Sequence, residues 1–103
     1  MSTRDLVIEE TQRQIDYVIQ AIPEDKKNFS TNFSKEQLQY KELADFLLGY
    51  ELGYVVGKSL EYHNSLHEKL ITWEEQDQIQ KDIQTIVARS IPQIKQTIQK
   101  AIT

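Results

Sequence analysis

The chain has 103 residues, of which 39% are hydrophobic and 27% charged, and its formal net charge is −4 at pH 7. This composition is too apolar for a disordered chain and too polar for a membrane protein, and the length predicts one domain over residues 1–103. Cysteine is absent, which excludes disulfides, thiol catalysis and thiolate zinc sites, and the acidic balance argues against a nucleic-acid partner.

The first predicted element is an amphipathic helix that begins at a serine or threonine cap next to the N-terminus. Isoleucine and valine recur along it at helical spacing, with charged residues and glutamines on the other faces. Pro23 disfavours helical backbone at the preceding residue, so we expect the helix to end near Ile22. Residues 23–33 then form a connector, in which Phe29 and Phe33 are expected to cover the open end of the core.

A second helix is predicted to begin at the capping box Ser34–Gln37 and to continue almost to Thr72, because no breaker intervenes. It would contain about 36 residues and extend roughly 54 Å. Between Phe46 and Gly57 the only charged residue is Glu51. Because a helix that is apolar on nearly all sides is usually surrounded by neighbours, we place this segment at the centre of the protein.

Three glycines, the only ones in the chain, lie four residues apart in this apolar segment at Gly49, Gly53 and Gly57. Each costs a helix about 1 kcal/mol relative to alanine, and the spacing places all three on one face. A face without side chains allows another backbone to approach closely, and close packing can offset the lost helix propensity. The glycines therefore predict the position of the tightest helix–helix contact.

The last predicted helix begins at a second capping box, Thr72–Glu75, and carries a stripe of isoleucines. Pro92 interrupts it, but the stripe continues in phase, so we expect a kink there rather than a new helix capped by Ser90. No segment alternates like a strand. The sequence thus predicts an all-α protein, a three- or four-helix antiparallel bundle with a long central helix.

Unequal helix lengths predict that the protein associates with a partner. Helices of about 20, 36 and 30 residues leave part of the longest helix uncovered, and exposed apolar surface usually marks an interface. We expect a homodimer with the glycine face at the subunit contact, flanked by anchors at Tyr50, Tyr54 and Val56. The alternative is a monomeric four-helix bundle, in which the long helix breaks at the glycines and the smooth face lies inside.

His63 and His67 are candidate metal ligands, because residues four apart on a helix can face one ion. The di-iron and zincin motifs are both incomplete, since Leu60 and Asn64 stand where those motifs need glutamate. A site would need a third ligand from another helix, such as Glu10 or Asp16, or from a second copy of the chain. A separate candidate is Glu51, a possible buried carboxylate whose pKa burial would raise.

The expected function is that of a cytoplasmic, non-catalytic protein acting through protein–protein interaction, because no nucleophile is paired with a base. We expect no cofactor, no signal peptide and no membrane partner, since the longest apolar stretch is shorter than the about 20 residues of a membrane span. Two alternatives remain: a ligand- or metal-binding bundle that uses the histidine pair, and a small accessory or immunity-type inhibitor of a larger partner.

Overall fold

The computed structural model describes residues 2–66 and 72–103. Four helices follow one another along this part of the chain: α1 (Thr3–Asn32), α2 (Lys35–Leu38), α3 (Leu43–Ser65) and α4 (Trp73–Ile102). The described residues contain no strand, and the three long helices all pack against one another. The predicted all-α bundle is confirmed.

Contacts between the helices define their directions. Phe29 near the end of α1 contacts Tyr50 near the start of α3, so these two helices are antiparallel. Arg4 at the start of α1 binds Asp82 in the first half of α4, so α1 and α4 are parallel. It follows that α3 is antiparallel to both of its neighbours. The bundle measures 44 × 25 × 18 Å.

The core is a single cluster of aliphatic side chains supplied by the three long helices. Each fully buried valine, leucine or isoleucine contributes about 1.5–3 kcal/mol through removal of its apolar surface from water. The cluster includes the isoleucine stripe predicted for the last helix. Its buried members are Val7, Ile15, Val18, Ile22, Leu47, Val55, Ile79, Ile83, Val87, Ile94 and Ile98.

The first helix is longer than predicted, because α1 continues through Pro23 to Asn32. Proline inside a helix removes one backbone hydrogen bond, here the one that residue 23 would donate to Ile19. The expected connector over residues 23–33 is therefore wrong. The ring of Phe29 packs against Phe46 and Tyr50 of α3, and this contact offsets part of the stability lost with the hydrogen bond.

The second predicted helix is divided, but not at the glycines. The capping box Ser34–Gln37 is confirmed and begins the short helix α2. Gln39 then adopts left-handed backbone, with φ 55°, and the chain turns before α3 begins at Leu43. The helix α3 has 23 residues rather than about 36, and it passes all three glycines without interruption.

The last helix begins where predicted and is continuous. Thr72 Oγ1 accepts a hydrogen bond from the Glu75 backbone N–H at 3.1 Å, which confirms the cap. The helix continues across Pro92, and Ser90 does not cap a new one. Instead, Ser90 Oγ donates to the Val87 carbonyl at 2.7 Å.

The observed helix lengths remove one of the two arguments for a dimer. The helices α1 and α4 each have 30 residues, and α3 between them is the shortest of the three. The first helix is therefore long enough to accompany the last along its whole length. Any case for association rests on the surface of α3.

In the described residues, no helix has both the length and the apolar character that crossing a bilayer requires.

Candidate interaction surface on α3

Two four-residue repeats divide α3 into an inner and an outer face. The buried repeat comprises Leu47, Glu51, Val55, Ser59 and His63. The glycines are offset from it by two residues, which corresponds to about 200° around the helix axis. The glycine row therefore lies on the side of α3 that faces away from α1 and α4, and all three glycines are exposed.

Nothing else in the described part of the chain approaches the glycines. A Cβ atom added at Gly49, Gly53 or Gly57 would meet no atom of another element within 4 Å. The glycines therefore mark no close helix–helix contact within the described chain, and the predicted close contact at a subunit interface stays a prediction. In the alternative of a monomeric bundle, the long helix breaks at the glycines and the smooth face lies inside; both of these features are wrong, because α3 is continuous there and the glycines are exposed. The cause is the orientation of α3, which turns the row Leu47, Glu51, Val55, Ser59 and His63 inward.

The outer face of α3 is an uncharged strip. We define it as the glycine row together with the two rows beside it, which are partly exposed. From Phe46 to Gly57 the only charged residue is Glu51, and its side chain points into the core. Apolar side chains border the glycines on both sides, so the glycines form the floor of a shallow groove. The bordering rows are Leu48, Leu52 and Val56 on one side and Phe46, Tyr50 and Tyr54 on the other.

Aromatic rings continue this surface onto α1. We call them the aromatic seam, and they are seven of the nine aromatic residues of the chain. The seam consists of Tyr17, Phe29, Phe33, Tyr40, Phe46, Tyr50 and Tyr54. The large apolar side chains exposed there are Tyr17 at 55%, Phe33 at 46% and Tyr50 at 40%. The centroid distances are 5.6 Å for Tyr17–Tyr54, 4.8 Å for Phe29–Tyr50, 5.2 Å for Phe29–Phe46, 6.1 Å for Phe29–Phe33 and 5.3 Å for Tyr40–Phe46.

The predicted anchors lie at the border of the groove. Tyr50 is exposed, whereas Tyr54 and Val56 are partly buried. Tyr54 stacks on Tyr17, and the Lys58 ammonium lies 5.7 Å from the centroid of the Tyr54 ring. Sequence reasoning missed Tyr17 because the aromatic seam depends on how α1 and α3 pair.

Glu51, which the sequence marks as a possible buried carboxylate, is buried in the fold. Its side chain is 0% exposed, and neither carboxyl oxygen has a hydrogen-bond partner among the described residues. Burial raises the pKa of Glu51 to about 9, and the nearby acid Asp25 of α1 adds to the increase. At neutral pH the side chain therefore carries a proton, because an isolated charge in an apolar core is costly.

Of the two histidines predicted to bind a metal, the structure describes only His63. His63 is buried on the inner face of α3, and His67 lies outside the described residues, so the pair stays a prediction. Among the suggested third ligands, Glu10 already accepts hydrogen bonds from Arg13 and Gln14. Asp16 is exposed. Within residues 2–66 and 72–103, no three His, Cys, Asp or Glu side chains come together as a potential metal site.

Comparisons of this chain with protein-family models, with curated proteins and with solved structures found no match. The candidate surface is therefore argued from the residues of this chain alone.

Proposed function

We propose that this protein is a small, non-catalytic helical bundle that acts through protein–protein contact and self-associates through the outer face of α3. The observation that carries the proposal is the inverted pattern of α3. Its one charged residue between Phe46 and Gly57 points into the core, while the glycines and their apolar borders face outward. A helix face that meets only water normally shows the opposite arrangement.

The cost of the glycines supports a partner. Three glycines lower the intrinsic stability of α3 by about 3 kcal/mol relative to alanines. No contact among the described residues requires the absence of a side chain at these positions. A second helix in the groove would use that absence, because backbones can then approach more closely than the usual 8–10 Å between helix axes.

A second copy of the chain is the partner that best fits this groove. The three glycines are evenly spaced about Gly53, so a two-fold axis there would place Gly49 of one copy opposite the partner subunit's Gly57. Such a contact is self-complementary, as two-fold interfaces must be. Between Phe46 and Gly57 the outer face carries no charge, so the middle of this contact involves no like-charge repulsion.

The aromatic seam extends the proposed interface. A stable interface buries about 800 Å² on each partner, and one helix face is narrow for that area. Tyr17 and Tyr50 lie beside the groove and remain 55% and 40% exposed. Tyrosine is enriched at interfaces, where the ring packs and the hydroxyl stays hydrated.

We further propose a cytoplasmic protein whose partner is neither nucleic acid nor membrane.

Sedimentation equilibrium over a wide concentration range tests self-association. The wild-type chain should approach twice its mass of 12.1 kDa as concentration rises. Gly53→Leu should stay at the single-chain mass, because a branched side chain fills the groove. The control is Ala88→Leu, which adds the same side chain at an exposed position of α4 and should associate like the wild type. A wild-type chain that remains monomeric at every concentration would refute the proposal.

A further inference from the structure

The last turns of α1 are weakly held. After Ile22, no residue of α1 is fully buried, and Phe29, the one hydrophobic residue over residues 24–32, packs against the core while only partly buried. The backbone hydrogen bond missing at Pro23 separates this segment from the rest of the helix. Its main anchor is the ring of Phe29. Segments with few buried apolar contacts open at a lower free energy than the whole fold, so residues 24–32 can detach locally.

Glu51 lies beneath this segment. Phe29 contacts Tyr50, which precedes Glu51 in α3, and Asp25 lies one helical turn before Phe29 on α1. The antiparallel packing of α1 and α3 therefore places the carboxyl groups of Asp25 and Glu51 near each other. Glu51 is 0% exposed and its oxygens lack hydrogen-bond partners among the described residues, whereas Asp25 is partly exposed.

The groups around Glu51 favour its neutral form. From α1 the charged neighbour is Asp25, which would repel a second carboxylate. From α3 the titratable neighbours are Tyr50 and Tyr54, and burial raises the pKa of both above the usual value of 10. They therefore stay neutral in the range where Glu51 titrates.

The helix α4 offers little compensation. It approaches the start of α3 with Lys95, which lines a cleft with Asp45 and Leu48 of α3. Leu48 lies almost one turn before Glu51, and Lys95 is itself exposed to solvent. Among the described residues, the neighbouring group that acts on the pKa of Glu51 is Asp25 of α1 and not a residue of α4.

We propose that residues 24–32 form a proton-gated flap, which packs against α3 while Glu51 is protonated and detaches at Pro23 when Glu51 releases its proton to water. Detachment relieves the repulsion between the two carboxylates and hydrates Glu51. It also uncovers Phe46 and the ring of Tyr50. The pKa of Glu51 is raised to about 9 while the flap is closed and returns toward 4.5 when the carboxyl group is hydrated, so each rise in pH within this interval favours the open flap, and this effect is complete near pH 9. This inference concerns one chain and does not depend on self-association.

Carbon-detected NMR at increasing pH tests the flap. The side-chain carboxyl carbon of Glu51 reports loss of the proton, and the Cα shifts report helix content. We expect the helical shifts of residues 24–32 to fall by more than half with the midpoint of Glu51, while residues 4–20 keep theirs. One pH unit above the midpoint, about nine in ten molecules have lost the proton.

Three variants make the result decisive. Glu51→Gln keeps the shape but cannot ionise, so its flap should stay helical across the same range. Glu61→Gln is the control on the same helix, since Glu61 is 74% exposed, and it should behave like the wild type. Asp25→Asn should lower the Glu51 midpoint. The inference is overturned if Glu51→Gln opens like the wild type, if both parts of α1 unfold together, or if Glu51 shows no alkaline titration.

Discussion

The rings of Phe29 and Tyr50 meet edge to face, with their centroids 4.8 Å apart and their planes at 76°. This contact joins the part of α1 beyond Pro23 to the first turns of α3. Edge-to-face pairs contribute about 0.5–1.5 kcal/mol beyond the apolar area that they bury. The position of Phe29 therefore helps to explain how α1 remains helical past a proline, and why one edge of the bundle is lined with aromatic rings.

Replacing Phe29 with alanine should lower the free energy of unfolding by about 2 kcal/mol, less than the 3–5 kcal/mol of a fully buried phenylalanine. The ring contacts Phe33, Phe46 and Tyr50 and is partly buried. Urea unfolding followed by circular dichroism measures the change. Phe33→Ala is the matched control and should cost less, because Phe33 is 46% exposed. Equal losses would show that the anchoring role of Phe29 is misassigned.

Gly53→Ala should change folding and association in opposite directions. The added methyl group meets no atom of another element within 4 Å, so the single chain should gain about 1 kcal/mol of stability in dilute solution. The same methyl group lies in the proposed groove and should raise the dissociation constant of the dimer. Unfolding at low concentration and sedimentation at high concentration measure the two effects separately. A loss of stability in dilute solution would contradict the exposed position of Gly53.

Glu51 makes stability depend on pH in the direction opposite to that of most carboxyl groups. Its pKa is raised from 4.5 to about 9 in the fold, so the folded state binds the proton more tightly than the unfolded state does. The stabilisation that Glu51 contributes is complete below pH 4.5, its unfolded-state pKa. It falls as pH rises from 4.5 to about 9, and it stays constant above the folded-state pKa. The slope is at most about 1.4 kcal/mol per pH unit.

Glu51→Leu should remove this slope and raise stability at pH 7 by about 1–3 kcal/mol, because a buried polar group without a partner is replaced by an apolar one. Chemical unfolding across the pH range provides the measurement. Glu61→Leu, at an exposed site of the same helix, should leave the slope intact. An unchanged slope in the Glu51 variant would mean that another group titrates.

The ion pair between Arg4 and Asp82 should make the protein less stable as pH falls, as is usual for a carboxyl group in an ion pair. The Arg4 guanidinium donates hydrogen bonds to Asp82, and this interaction holds the pKa of that carboxyl below its ordinary 3.8. The pair therefore stabilises the fold above this value and is lost as pH falls through the depressed pKa. Asp82→Asn should lower the melting temperature at neutral pH and abolish this acid dependence.

The exposed pair Lys81–Asp77 supplies a control for the ion pair that links α1 to α4. Lys81 Nζ lies 2.8 Å from Asp77 Oδ2 within one helix, and both side chains are mostly exposed. Exposed pairs of this kind contribute little to stability. Asp77→Asn should therefore change the melting temperature less than Asp82→Asn does. A larger effect at Asp77 would contradict the interhelical role of Asp82.

Pro92→Ala should stabilise the protein. The helix α4 is continuous across Pro92, whose side chain is exposed, and alanine restores the backbone hydrogen bond to Ala88. A gain of about 1–2 kcal/mol is expected, since proline is up to about 3 kcal/mol worse than alanine inside a helix. Such a gain would raise the melting temperature by about 4–16 °C. A decrease would show that packing at this point needs the proline.

The caps and the main apolar stripe were predictable because they depend on neighbouring residues. Ser34, Thr72 and the isoleucines of α4 express their structure through spacings of three and four residues, and the structure confirms each. The burial of Glu51 was a possibility that the apolar neighbours in α3 raised, but these neighbours do not select the face that lies inward. These local patterns suffice for the fold class, which requires helices and their apolar faces but not the exact pairing.

The ends of the helices depended on contacts between distant parts of the chain. Pro23 predicts an end to α1, but the packing of Phe29 on α3 offsets the cost of continuing. Gln39 gives no comparable warning, because glutamine is an ordinary helix former, yet it ends α2 in left-handed backbone before α3 begins at Leu43.

The sequence by itself determined that this chain is helical, where three of its helices begin, and that α3 is apolar on nearly every side. Only the tertiary structure decided which side of α3 faces inward. A helix with apolar residues all round has no single face that local pattern selects. Packing against α1 and α4 selected the row that contains Leu47 and Val55 from several apolar rows of similar size, and it carried Glu51 inward with them. The glycines, which fill no space, were left on the outside.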